Sequence, residues 1–242
     1  MDNQLIIAAN QSREIIEYDD DAHLSAEPKV SEIVLNENAS LELYVLQNVD
    51  NEAAIQREFK IKQLRDSRLK IVVITFNGGD IRNRYTVDLD GEGADTQVYG
   101  LYLIDKTQHV ENYLKVNHNV PHCTSNEKFK GVLDDSASAV FNGHVYVAKN
   151  AQKTDAHQNN SNIILTPTAK INSQPFLEIY ADDVKCSHGA TIGRLDEDAL
   201  FYMRTRGIPG KEARVLQMLS FLAPVTPEAD RERVERAVTL LV

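Results

Sequence analysis

The chain has 242 residues, which is long enough for one domain with a large buried core and a smaller appendage. It carries 26 Lys and Arg residues against 36 Asp and Glu residues, a formal net charge of −10, which disfavours nucleic acid and anionic membranes as partners. No basic signal segment opens the chain, no stretch approaches the roughly 20 apolar residues of a membrane span, and its two cysteines do not make a disulfide framework. These features predict a cytoplasmic protein.

The first 195 residues contain a series of short strand patterns. Each alternates apolar with polar residues or is rich in β-branched and aromatic residues, and no helix-length pattern separates them. In chain order the predicted strands are 41–48, 58–64, 69–76, 84–89, 97–104, 112–118, 129–133, 139–148, 162–166, 176–181 and 184–192. This organisation predicts an all-β body.

The pattern alone leaves the arrangement of these strands open between a sandwich, a barrel and a β-helix. The pairs Asn142-Gly143 and Asp90-Gly91 are typical of hairpin turns and favour antiparallel strands. The Asn- and Gln-rich run at 151–162 instead suits the turns of a stacked solenoid. No repeat of fixed length is visible.

The character of the chain changes near residue 195, which divides it into a β-body (1–195) and a helical domain (196–242). The segments 196–207, 210–223 and 228–242 are predicted helices, the first with Asp196 as N-cap and Gly207 as its stop. Apolar faces are predicted from Val215, Leu216, Leu219 and Leu222 and from Val234, Val238 and Leu241. Short amphipathic helices appended to a β-body are typical of a docking element.

Cys186 and His188 are the strongest candidates for chemistry. Residues two apart in a strand project from the same face, about 7 Å apart, so both side chains can approach one metal or cluster. A complete site needs about four ligands, so this strand supplies half of one. The alternative is that both residues pack in an apolar row of the core. Because the strand is the last one before the helices, its face can also be an interface.

Two other groups of residues are weaker candidates. His118, His122 and Cys123 have partial zinc-ligand spacing, but Pro121 and the adjacency of the last two residues favour a structural role. Five aspartates allow a β-helix polysaccharide lyase or hydrolase as the alternative function, although the lack of Trp counts against it; they are Asp134, Asp135, Asp155, Asp182 and Asp183.

Several long blocks of the sequence resemble one family. The segments "FKGVLDDSASAVFNGHVYVA" (129–148), "KCSHGATIG" (185–193) and "LFYMRTRGI" (200–208) are similar to those of the SufB and SufD proteins of iron–sulfur cluster assembly, on the SufD side of that family. The resemblance runs from roughly residue 30 to residue 225.

This resemblance implies a right-handed parallel β-helix with a small C-terminal helical domain. It implies a non-enzymatic scaffold subunit that pairs with a SufB-like paralogue through the β-helix. It also implies that a SufC-like ATPase binds the C-terminal helices. In the absence of the paralogue, we expect a homodimer that uses the C-terminal end of the β-body.

The resemblance also implies which residues act. His188, with Cys186 beside it, belongs to the interface where a nascent cluster is built, so the two would ligate metal only as part of a site shared with the partner chain. No cofactor is expected to bind stably to the chain alone; a transient iron–sulfur cluster shared with the SufB-like partner is expected instead. The expected ATPase-docking residues are Leu200, Phe201, Met203, Arg204 and Arg206.

The beginning of the chain departs from this family. Its members carry a substantial, partly helical region before the β-helix, whereas "MDNQLIIAAN" already has the pattern of β-helix. The sequence is therefore expected to be a truncated form or a short homologue.

Overall fold

The computed structural model describes residues 4–19, 29–50, 52–227 and 231–241. Within these ranges, two parallel sheets of seven strands each are followed by three helices. Odd-numbered strands form one sheet and even-numbered strands the other, so the chain changes sheet after every strand. This is a β-solenoid of about six turns, which confirms the all-β body and the parallel stacking. Its right-handed sense stays a prediction.

The strands of sheet A are β1 (Gln4–Ile7), β3 (Lys29–Leu35), β5 (Ala54–Gln63), β7 (Asp80–Leu89), β9 (His109–His118), β11 (Ser138–Val147) and β13 (Lys170–Ile179). The strands of sheet B are β2 (Ser12–Asp19), β4 (Ser40–Gln47), β6 (Arg68–Thr75), β8 (Asp95–Ile104), β10 (Thr124–Leu133), β12 (Asp155–Ile164) and β14 (Lys185–Gly193). The helices are α1 (Glu197–Thr205), α2 (Gly210–Leu222) and α3 (Arg231–Leu240), with a short 3-10 turn at Ala223–Val225. Every strand predicted from the sequence overlaps an observed strand.

The length of a coil varies along the solenoid. Ala54 of β5 pairs with Asp80 of β7, 26 positions later, whereas Ser138 of β11 pairs with Lys170 of β13, 32 positions later. Because successive coils differ in length, equivalent positions do not recur at a constant interval in the sequence. This variation explains why no fixed repeat was visible.

Alternation along each strand places the core between the two sheets. In β11 every second residue from Ala139 to Val147 is buried, and the intervening residues are partly exposed. The interior is filled by aliphatic and aromatic side chains, among them the stacked rings of Phe59 and Tyr85 and the tilted pair Phe129 and Phe141. The two-residue period of the sequence therefore reports which side chains point inward.

Turns on one side of the solenoid are built by residues with left-handed backbone. Asn38, Asp66 and His122 have φ values of 54°, 54° and 61°. The amide of each donates to a carbonyl in the turn of the next coil, those of Arg65, Glu92 and Gln152, at 2.8, 2.9 and 3.0 Å. These bonds satisfy backbone groups that would otherwise be unpaired between coils.

The two predicted hairpin turns are wrong. Asn142-Gly143 lies inside β11, and Gly143 faces inward, where an added Cβ would come within 2.3 Å of the Gln158 amide. Asp90-Gly91 is a turn, but it joins β7 of one sheet to β8 of the other. The Asn- and Gln-rich run at 151–162 is mostly strand β12 instead of turn.

The first helix begins and ends as the sequence predicts. The Asp196 side chain accepts a hydrogen bond from the Ala199 amide at 3.0 Å, which is an N-cap. Gly207, with φ of 88°, ends the helix, and the Ile208 amide donates to the Met203 carbonyl at 3.1 Å.

The helices pack on the outer face of sheet B. Leu200, Met218 and Val238 share one buried cluster with outward side chains of the sheet such as Val72 and Leu101. In addition, the Lys130 ammonium donates to the Phe221 carbonyl at 2.6 Å. The change from strand to helix falls near the predicted boundary, since β14 ends at Gly193 and α1 begins at Glu197. The helices and sheet B nevertheless share one continuous apolar core. The division into domains at residue 195 stays a prediction.

The apolar faces of the helices are predicted with mixed success. Val234 and Val238 of α3 are buried, and Leu241 packs against the same cluster. In α2, however, Leu216 is exposed, whereas Ala213 and Met218 are buried beside Leu222. The buried face of α2 is therefore rotated from the predicted one.

Candidate functional site

The C-terminal end of the solenoid is open. β13 and β14 are the last strands of their sheets, and each has a pairing partner on one side only among the described strands. Their inward-facing residues are left uncovered, because no further coil lies over them in the described part of the chain. Unpaired strand edges of nine or ten residues are a ready surface for another chain.

Cys186 and His188 lie at this open end, in the inward-facing row of β14. Cys186 is in register with Ala156 of β12 and His188 with Gln158, and both residues of β12 are buried. The prediction that the cysteine and the histidine share one face is thus confirmed.

The two side chains differ in environment. Cys186 is half-buried and packs against a small cluster that contains Ala156, and burial raises the pKa of its thiol. At neutral pH this pKa disfavours the thiolate that binds metals best. His188 is exposed. The alternative interpretation of His188 as a core residue is therefore wrong, whereas Cys186 is partly a core residue.

Directly beneath His188, the same inward row continues with Gln158 of β12 and Glu127 of β10. Glu127 is fully buried, and burial raises its pKa to about 8, so this carboxyl group holds its proton at neutral pH. The Gln158 amide donates a hydrogen bond to one carboxyl oxygen of Glu127. The other oxygen, Oε1, has no hydrogen-bond partner among the described residues, and neither does Oε1 of Gln158.

A second buried polar group lies next to this row. Asn160 Oδ1 accepts hydrogen bonds from Asn162 Nδ2 and Ser173 Oγ, both at 2.7 Å, and Tyr102 donates to Asn162. The bond from Ser173 links sheet A to sheet B. The solenoid interior is therefore polar just below the open end, as it also is farther along, where Gln47, Thr75 and Asn83 form a buried hydrogen-bonded group.

Sequence reasoning did not single out Glu127 or Gln158. The signal was present in the sequence, because alternation places Glu127 on the same face as Phe129, two positions later. It was missed because the predicted strand began at residue 129 and did not include Glu127. Gln158 lay in a segment interpreted as turn. The sequence feature that identifies this row is an acidic residue two positions from a buried aromatic residue in the same strand, and therefore on the same face.

Large apolar side chains are exposed around the open end. Ile192 of β14 is 52% exposed and belongs to the same inward row as Cys186 and His188. The others are Phe176, Ile179 and Tyr180 on β13 or just after it. Apolar groups gathered at an uncovered end are typical of a protein contact surface.

The residues expected to dock an ATPase divide into two groups. Leu200 is buried and Met203 packs against the helical core, so both hold the helices on sheet B. Phe201, at 68% exposed, and the side chains of Arg204 and Arg206 face solvent. The sequence analysis missed Tyr202, which is exposed and lies under the Arg206 guanidinium at 5.2 Å.

The weaker candidates have structural roles. His118 is buried, its Nε2 lies 3.0 Å from Ser125 Oγ, and burial lowers its pKa to about 4. Cys123 is buried, and its thiol has a pKa raised to about 11. His122 is an exposed turn residue. These three residues therefore do not form the partial zinc site that their spacing allowed.

The aspartates considered for polysaccharide chemistry are engaged in turns and surface pairs. Asp183 forms an ion pair with Lys153, and Asp155 lies 2.8 Å from the imidazole of His157. Within the described residues, no group of three or more His, Cys, Asp or Glu side chains is arranged to hold a metal ion. In the same ranges, none of the helices has the length and apolarity needed to cross a bilayer.

Comparison with known proteins identifies the family. The family model for the SufBD core domain of SUF system FeS cluster assembly matches residues 1–221. The chain belongs to the SufBD family. The match begins at residue 1, ahead of the start near residue 30 expected from the sequence.

Individual SufBD proteins are similar over most of this chain. It is 36% identical over 161 residues to the iron–sulfur cluster assembly protein SufD of Escherichia coli, which covers 66% of this chain and 38% of that protein. It is 30% identical over 218 residues to SufD of Bacillus subtilis, covering 88% of this chain and 49% of that protein. A SufBD family protein of Synechocystis is 34% identical over 196 residues, covering 81% and 43%. The chain thus spans about half or less of the length of these relatives.

Proposed function

We propose that this chain is a non-enzymatic scaffold subunit of an iron–sulfur cluster assembly complex. Membership of the SufBD family supports a role in cluster assembly. The observation that carries the finer proposal is the open end of the solenoid, where Cys186 and His188 are presented beside unpaired strand edges and exposed apolar side chains.

The open end is the surface through which a SufB-like paralogue would pair. A partner strand can satisfy the backbone groups of β13 and β14, and its apolar residues can cover Ile179 and Ile192. Without the paralogue, a second copy of this chain would use the same surface and form a homodimer.

A nascent cluster would be the cargo of this interface. Cys186 and His188 supply a thiol and an imidazole, which both bind iron, and imidazole replaces thiolate in some clusters. Since a cluster takes about four ligands, the partner chain would provide the remainder. The cluster would therefore be transient and shared, and this chain alone would not retain one.

We expect Ile192→Asp to weaken pairing strongly. A buried carboxylate in the interface would be costly, while Ile192 is too exposed for its loss to unfold the chain. In co-purification with a SufB-like partner, the complex should weaken about 100-fold or more, and light scattering should show the variant alone as a monomer. Ile16→Asp, an equally exposed isoleucine near the other end of sheet B, should pair normally. A wild-type chain that stays monomeric and recovers no SufB-like partner would refute the pairing.

The helical end is the surface through which a SufC-like ATPase would dock. Phe201 and Tyr202 offer exposed aromatic contact area, and Arg204 and Arg206 add positive charge to an acidic protein. Aromatic and arginine side chains are the residues that most often dominate protein interfaces.

We expect Phe201→Ala and Arg206→Glu each to weaken ATPase binding about tenfold or more, without loss of thermal stability. Leu240→Ala and Arg236→Glu are matched controls, because both residues are exposed on α3, away from this patch. Surface plasmon resonance with a SufC-like protein measures the effect. Point variants are preferable to deletion of the helices, which would uncover apolar side chains of sheet B. Equal binding by variants and controls would contradict this docking surface.

A further inference from the structure

The end of β14, the strand that carries Cys186 and His188, has few contacts with the rest of the solenoid. Among the described strands β14 pairs only with β12, whereas β10 pairs with both β8 and β12. Thr191 and Ile192 are exposed, and a Cβ placed on Gly193 would meet no atom within 4 Å. A strand held by a single ladder of hydrogen bonds opens more readily than an interior strand.

The junction between β14 and α1 is fixed by one side chain of α2. Only residues 194–196 separate the strand from the helix. The Asp196 amide donates a hydrogen bond to Gln217 Oε1, and Gln217 Nε2 donates one to the Asp196 carbonyl, both at 2.9 Å. Because a glutamine amide carries both an acceptor and a donor, this one side chain pairs with both backbone groups of the junction residue.

Helix α2 is in turn anchored to the solenoid. Met218, next to Gln217, and Leu222 are completely buried in the cluster that the helices share with sheet B. The Lys130 ammonium of β10 donates to the Phe221 carbonyl and lies 4.2 Å from the centre of the Phe221 ring. Gln217 therefore connects the end of β14 to a helix that is fixed on β10, two strands away in sheet B.

We propose that Gln217 is a positioning residue that holds the end of β14 against α2, and so places the strand edge that presents Cys186 and His188. The inference rests on the pairing role proposed above for this edge. It adds that the helices, and not the solenoid alone, determine how firmly the edge is held. The contacts of Gln217 with Asp196 therefore join the surface proposed for an ATPase to the surface proposed for pairing.

Hydrogen exchange of the full chain, followed by mass spectrometry, tests this role. In Gln217→Ala the backbone amides of residues 185–193 should exchange about fivefold faster or more, because the loss of two hydrogen bonds makes the strand end easier to open. Amides of α2 and of β4 should exchange as in the wild-type chain, since Met218 and Leu222 still anchor the helix. Ser220→Ala is the matched control: it places alanine at an exposed position of the same helix, three residues from Gln217, and should leave all of these rates unchanged.

Three outcomes would overturn the proposal. Unchanged exchange of residues 185–193 in Gln217→Ala would mean that β14 does not depend on this side chain. Faster exchange throughout α2 as well would mean that Gln217 stabilises the helices in general, and an equal effect of Ser220→Ala would mean that the contact with Asp196 is not the cause. The measurement needs no partner chain, so faster exchange of β14 in a chain that neither dimerises nor binds a SufB-like protein would refute the proposed pairing and keep the positioning role of Gln217.

Discussion

A His188→Ala chain should fold and assemble with SufB-like and SufC-like proteins but load about tenfold less iron–sulfur cluster, or still less. His188 is exposed, so its removal leaves no cavity and no unpaired buried group. Its imidazole lies in the row that the partner would cover, so the variant would lose a ligand of the shared site while keeping the contact surface.

Iron and sulfide content of the reconstituted complex measures this effect, with thermal melts as the test of folding. We expect Cys186→Ser to load more cluster than His188→Ala, because the half-buried thiol has a raised pKa and is the poorer ligand at neutral pH. His157→Ala is the matched control, since His157 is also exposed but projects from the opposite face of the neighbouring strand β12. Normal cluster loading in a stable His188→Ala complex would refute the shared site.

Glu127→Gln should stabilise the chain, and the gain should increase with pH. Burial raises the pKa of Glu127 from 4.5 to about 8, so between these values the folded state holds a proton that the unfolded state has released. The contribution of Glu127 to the free energy of unfolding is therefore fully present below pH 4.5. It falls by roughly 1.4 kcal/mol per pH unit as the pH rises to 8. Glutamine keeps the size of the side chain and does not titrate.

Urea unfolding of both proteins at pH 5 and pH 8 tests this result. The stability advantage of Glu127→Gln should grow by roughly 3 kcal/mol over this range. Other groups also make the free energy of unfolding depend on pH. Burial lowers the pKa of His118 to about 4, so its neutral form stabilises the fold as the pH rises from acid values. Because both proteins contain His118, the difference between their free energies of unfolding removes this contribution. Glu178→Gln, at a carboxylate that lies 3.1 Å from His144 Nε2 on the surface, should show no gain of this size. A pH-independent difference would mean that Glu127 is ionised in the folded chain.

The strands and helices could be predicted because the properties that produce them are local. Period-two alternation in segments such as 139–148 follows directly from which side chains of a strand point inward. Asp196 and Gly207 bound α1 because a carboxylate at the N-cap and a glycine with positive φ satisfy backbone groups within a few residues. The pairing of Cys186 with His188 on one face is equally local.

The partner of each strand could not be predicted from the pattern of residues, because it depends on positions 26 to 32 residues away. Asn142-Gly143 shows the consequence. The pair has the composition of a hairpin turn, yet Gly143 lies inside a strand, where the Gln158 amide of the facing sheet fills the space that a side chain would need. The family resemblance, and not the alternation, singled out a parallel β-helix.

The sequence by itself determined the local elements, the acidic charge and the shared face of Cys186 and His188, because each depends on residues close together in the chain. Only the tertiary structure decided that His188 is exposed at an open end, that Glu127 lies buried in the row beneath it, and that the helices cover sheet B. The physical reason is stacking. The burial of a side chain in a solenoid is set by the coils above and below it, and the last coil has a neighbour on one side only among the described strands.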